Sequence, residues 1–137
     1  MYLAERQGKF LPQDAVLKWQ CLQWLFWQMA GLGPMAGQNH HFSVYAPEKI
    51  PYAIDRYVRE TARLYGVLNK RLADREFIAG TYSIADMASY PWIVPHQRQG
   101  QVCIYLNRDR FIPNKGSSFL IGKAAKTHRA NTVPFYG

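Results

Sequence analysis

Ser83 and Asp86, three residues apart in the stretch TYSIADMASYPWIVP (Thr81 to Pro95), form the most suggestive polar pair in this sequence. A carboxylate beside a hydroxyl could serve acid catalysis. Directly ahead of an apolar run, however, the same spacing is first a helix start. The Ser83 hydroxyl can accept from the backbone N–H of Asp86, while the Asp86 carboxylate reaches back to the N–H of Ser83. Aspartate has a shorter reach than the more usual glutamate, but keeps the chemistry and favours the positive end of the helix dipole. The pair therefore reads as a capping box, with Tyr82 and Met87 placed to form its hydrophobic staple.

Other reactive residue types are weaker signals. Asn39, His40 and His41 invite a metal hypothesis, yet a site needs three or four convergent ligands, and neither cysteine nor an HxxxH spacing supplies them. Cys21 lies among Trp and Leu on a helix and reads as a buried, inert thiol. The tail stretch GSSFLIGKAAKT has the outline of a phosphate loop but fails on spacing: five residues separate Gly116 from Gly122 where four are required, and Ala124 stands where Ser or Thr must ligate magnesium. Trp19, Trp24, Trp27, Trp92 and Tyr57 could line an apolar cleft. At helical spacing they read first as core.

The elements that must position these residues are helical. MYLAERQG looks like the end of a helix stopped by Gly8. From Pro12 to about Met29, residues Ala15, Trp19, Leu22, Phe26 and Met29 recur at helical intervals and are expected to face the core. Leu17, Cys21, Trp24 and Gln28 make a second, partly apolar face. Gly31 and Gly33-Pro34 are expected to end this helix, and Gly33 to Pro51 to be a loop or broken helix. From Pro51 a stripe of Ile54, Tyr57, Val58, Thr61, Tyr65, Leu68 and Leu72 predicts a long helix. Its solvated face has two ion-pair spacings, Asp55 with Arg59 and Arg56 with Glu60. Phe77 to Gly80 reads as a connector, and the capped helix after it is apolar on nearly every side, which places it at the centre of a bundle and makes Pro91 tolerable. In the tail, VCIYL and SSFLIG read as short strands.

Composition bounds the rest. At 137 residues and 48% hydrophobic, the chain supports one packed domain. The formal charge of +8 is uneven: residues 1 to 96 carry ten Lys/Arg against eight Asp/Glu, and residues 97 to 137 carry seven against one. The basic character belongs mainly to the tail, where Arg108, Arg110, Lys115, Lys123, Lys126 and Arg129 with Phe111 and Phe119 could bind nucleic acid or anionic lipid, a third reading; without a fold signature they read first as a solvated segment, so nucleic acid is not the expected partner. Cys21 and Cys103 make no secreted disulfide framework, no apolar run approaches membrane-spanning length, and a cytoplasmic protein without membrane attachment is the expectation.

Longer strings carry a resemblance. LQWLFWQMAGLGPMAGQNHHF (Leu22 to Phe42), IPYAIDRY (Ile50 to Tyr57), RLYGVLNKRL (Arg63 to Leu72) and YSIADMASYPW (Tyr82 to Trp92) resemble, in order and spacing, the helical C-terminal domain of bacterial Nu-class glutathione transferases. These are related to the fungal prion-forming nitrogen regulator. The resemblance implies an all-α bundle over residues 12–100, a remnant of the last helix and linker of a thioredoxin-like domain over 1–11, and a divergent basic tail over 101–137. By family, the activity would be glutathione conjugation or glutathione-dependent disulfide reduction, with no metal. Arg56 matches the family arginine expected at the glutathione carboxylate, and Asn39 and His40 fall where polar contacts near the cleft and dimer interface are expected. The family's thioredoxin-like domain would precede residue 1. The resemblance therefore implies a truncated or frame-shifted form with little activity alone, forming a homodimer, associating through an apolar face, or pairing with a thioredoxin-like half.

Overall fold

The computed structural model describes residues 1–101. The strands anticipated at VCIYL and SSFLIG, Cys103 and the basic residues of the tail lie outside the described residues. Among the described residues the architecture is all-α: α1 (Tyr2–Gln7), α2 (Ala15–Trp27), α3 (Gly33–His40), α4 (Pro51–Arg71) and α5 (Ile84–Ile93), followed by a 3₁₀ turn at His96–Gln99. A single isolated bridge pairs Ala79 with Thr81 in the connector.

Local chemistry explains most of the boundaries. Gly8 adopts the left-handed conformation, φ 61°, that closes α1. Asp14 caps α2, its carboxylate accepting from the N–H of Leu17 at 2.9 Å. The expected break at Gly33-Pro34 does not occur. A π-helical turn, Gln28–Leu32, joins α2 to α3, and another, His41–Tyr45, extends α3, so of the loop or broken helix anticipated here the irregular helix is what forms, up to Tyr45. Pro34 sits in the first turn of α3, where its missing N–H is harmless, and the wider turn ahead of it absorbs the register change.

The glycines of α3 serve packing rather than turning. A Cβ on Gly33 would lie 3.2 Å from the Trp92 ring and 2.7 Å from the Gln28 amide, and one on Gly37 would lie 3.4 Å from Trp92. At Gly33 helix α3 approaches the indole more closely than a side chain would allow, while at Gly37 an added Cβ would make ordinary van der Waals contact.

The face that α2 buries is mainly the second one, with Cys21 and Gln28 buried, and Leu22 is the member of the first stripe that joins them. The Arg71 guanidinium lies 5.3 Å over the Trp24 ring while donating to Gln20 Oε1 and to the Ile78 carbonyl. Trp19, Phe26 and Met29, anticipated as core, are 65%, 58% and 64% exposed. With two apolar faces on one helix, periodicity cannot say which meets the body. Packing against α5 decided it.

Helix α4 matches its expected stripe more closely, burying Thr61, Leu64, Tyr65 and Leu68, with Leu72 just past its end. On its outer face Asp55 pairs with Arg59 as anticipated, but Glu60 takes two hydrogen bonds from Arg63 rather than pairing with Arg56. The side of α5 formed by Ala85, Asp86, Ser89 and Ile93 is buried, while Pro91, inside the helix, faces solvent.

Candidate functional site

The start of α5 is a buried, densely hydrogen-bonded point of the fold. Both halves of the capping box form: Asp86 Oδ2 accepts from the Ser83 N–H at 3.0 Å and from the Ser83 hydroxyl at 2.9 Å, and Ser83 Oγ accepts from the Ala85 N–H at 3.3 Å. Two further bonds were not legible in the spacing. Asp86 Oδ1 accepts from the Ile78 N–H at 3.0 Å, and the N–H of Ile84 donates to the Phe10 carbonyl at 2.9 Å. The capping carboxylate thus ties the connector to α5, while Phe10, at φ 64°, ties the N-terminal segment to it. Tyr82 packs its ring on Phe10 and Phe77. Burial pushes the Asp86 carboxyl above the usual range, opposed by the bonds from Ile78 and Ser83. At 1% exposure and with both oxygens occupied, this carboxylate organises structure and offers no proton to a substrate.

Asn39 is fully buried. Its amide donates to Thr61 Oγ1 and to the Gln99 carbonyl, each at 3.1 Å, and its oxygen accepts from the Ser43 hydroxyl at 2.9 Å. Expected as a ligand contact, Asn39 instead spends its amide cross-linking α3, α4 and the 3₁₀ turn. Gln99 extends the network by donating to the Ala36 carbonyl and accepting from the Tyr65 hydroxyl. Tyr65 Oη lies 2.7 Å from the Trp92 carbonyl. Gln101, read from sequence as the start of the tail, is buried and donates to the Val58 carbonyl. Sequence reasoning missed this network because glutamine and asparagine carry no periodic signal. Only their buried neighbours reveal them.

The network holds the walls of an open groove of about 470 Å³, lined by Gly37, His40, Tyr45, Trp92, Pro95 and Arg98, with Pro91 and Gln99 completing it. The packing of Gly33 and Gly37 against Trp92 places the indole there. His40 meets the Tyr45 ring edge to face at 4.9 Å, and its Nδ1 is buried without a hydrogen-bond partner. His41 contacts Phe42, which stacks on Tyr57 at 5.5 Å. Arg56 is exposed, with its guanidinium 5.9 Å from the Tyr57 ring centroid. Of the residues anticipated at a ligand, His40 lines the groove, Arg56 stands on the exposed face of α4 beside the aromatic stack, and Asn39 lies beneath the surface. Trp92 is the one tryptophan that reaches the groove.

Among the described residues no cluster of three or more His, Cys, Asp or Glu is placed to hold a metal ion, and no helix is long and apolar enough to cross a membrane. Cys21 is a free, buried thiol.

No protein-family model matches the chain. Individual proteins do. The disulfide-bond oxidoreductase YfcG of Escherichia coli K12 is 56% identical over 100 residues, covering 72% of this chain and 46% of that protein. The disulfide-bond oxidoreductase YghU of the same organism is 48% identical over 93 residues, covering 67% of this chain and 32% of its own length. Among solved structures, a glutathione transferase from Burkholderia graminis, with two glutathione molecules bound per subunit, superposes with a TM-score of 0.66 at 45% identity over 69% of this chain and 40% of that one. The chain spans less than half the length of the curated relatives it matches. The fold is thus that of the helical C-terminal domain of glutathione transferases. Within that fold, the chain belongs with the YfcG- and YghU-type glutathione transferases.

Proposed function

We propose that this chain serves glutathione-dependent chemistry, either conjugation or disulfide reduction with glutathione as the redox-active thiol, and that it provides the helical side of the active site. The groove floored by Trp92 would take the second substrate. Arg56 would hold a glutathione carboxylate, for which a guanidinium offers two parallel charge-assisted bonds. His40 would sit at the rim, and Asn39 would fix the helix on which His40 stands. Activating the thiol requires donors that hold the tripeptide and lower its pKa, and by family these lie on a thioredoxin-like domain. The observation that carries this reading is the 56% identity to a disulfide-bond oxidoreductase over the segment that builds the groove.

The test is conjugation and disulfide-reduction turnover by the purified chain, alone and with a thioredoxin-like half supplied. Turnover is expected only when both halves are present, with Arg56→Ala raising the KM for glutathione. Robust turnover by the chain alone, abolished by Arg56→Ala, would overturn the division of labour. Silence in both arrangements would overturn the glutathione reading itself.

A second reading rests on the exposed stripe of Val16, Trp19, Phe26 and Met29, which share one side of α2 and its π-helical extension. An apolar strip of this kind, rich in aromatic surface, is suited to association with a second copy or with a thioredoxin-like half.

A further inference from the structure

The groove combines aromatic side chains with a single guanidinium. Its aromatic lining is held in place: the Trp92 indole packs on Gly33 and Gly37, the Tyr45 ring meets His40 edge to face, and Pro91 and Pro95 stiffen the chain on either side of Trp92. The same lining includes Arg98, which is exposed and has no ion-pair partner among the described residues. None of the eight lining residues is acidic. His40 adds a buried Nδ1 that has no hydrogen-bond partner. A groove lined by aromatic rings and one unpaired guanidinium complements a flat apolar molecule that carries an anion.

Resting on the glutathione reading only for calling this groove the second-substrate site, we propose that it selects planar aromatic carboxylates, the ring lying against Trp92 and Tyr45 and the carboxylate meeting the Arg98 guanidinium. The carboxylate would accept two N–H bonds from the arginine fork, a geometry that an uncharged isostere cannot match. The substrate class is thereby narrowed from apolar molecules in general to aromatic acids.

The experiment needs no turnover and no glutathione, so its failure is separable from failure of the proposed function. Binding of 2-naphthoate and of its uncharged isostere 2-naphthamide to the full chain is measured by calorimetry at physiological salt. 2-Naphthoate is expected to bind at least about fivefold more tightly, since a charge-assisted pair at an exposed position is weakened by solvent screening. Arg98→Gln should bring the two affinities together, whereas Arg6→Gln, which removes the same charge from α1, should leave the preference intact. Tyr45→Ala should weaken both probes alike without changing their ratio. Equal binding of the two probes to the wild-type protein would overturn the proposal. So would a preference that survives Arg98→Gln, because the anion would then be drawn by net charge, including the cations beyond residue 101. Folding is not in question for either arginine variant, as both side chains are exposed.

Discussion

Removing the Asp86 carboxylate is the most direct way to challenge the account of how this domain is organised. In Asp86→Ala the N–H groups of Ile78 and Ser83 lose acceptors at 3.0 Å in a region where Asp86 itself is 1% exposed. Each buried donor left unpaired costs about 1–3 kcal/mol. Relief of the burial that raises the Asp86 pKa offsets part of this, leaving an expected loss of about 2–5 kcal/mol. That is a large share of the roughly 5–15 kcal/mol typical of a small domain. Ser83→Ala removes one hydroxyl that accepts from Ala85 and donates to Asp86, and should cost about 1–2 kcal/mol. Asp86→Asn keeps the shape but turns an amide donor toward one of the two N–H groups, so it should fall between the two. Urea denaturation followed by circular dichroism reads all three, with the m-value as the check that unfolding remains cooperative. The double variant Ser83→Ala/Asp86→Ala should lose less than the sum of the single losses, because the two side chains share a bond. A loss below about 1 kcal/mol for Asp86→Ala, or strict additivity in the double variant, would refute the claim that this carboxylate pins the connector to α5.

Further predictions concern pH, packing and association. Because burial holds the folded Asp86 pKa above the unfolded value of about 3.9, the folded state binds more protons in that window. Its contribution therefore favours folding at low pH and is lost as pH rises through the raised folded pKa. Stability of the wild-type protein relative to Asp86→Asn across that window should show the slope, and a flat difference would contradict it. Gly33→Ala should destabilise by about 1–3 kcal/mol, since its Cβ would meet Gln28 and Trp92 at 2.7 and 3.2 Å. Gly66→Ala, mid-α4 with nothing within 4 Å, should stabilise by about 0.5–1 kcal/mol in the same denaturation assay. Trp19→Glu should abolish concentration-dependent association in sedimentation velocity without lowering the unfolding midpoint. A wild-type protein that is monomeric at every concentration would remove the second reading.

The sequence by itself determined the elements whose causes are local. Gly8 stops α1, Asp14 starts α2, the stripe from Thr61 to Leu72 marks α4, and Ser83 with Asp86 opens α5, because caps and periodicity act over three or four residues. Tertiary structure alone decided what depends on neighbours distant along the chain. Gly33-Pro34 reads as a helix stop, yet the chain continues as helix because a π-helical turn leads into α3 and Pro34 falls in its first turn, where no N–H is needed. The exposed side of α2 was undecidable from a helix with two apolar faces. Asn39 and Gln99 look like surface polar residues until the carbonyls and hydroxyls that satisfy them arrive from other helices. The groove exists only where α3, the π-helical turn after it, α5 and the 3₁₀ turn meet, which is why the place of Arg98 in its lining gave no signal in the sequence.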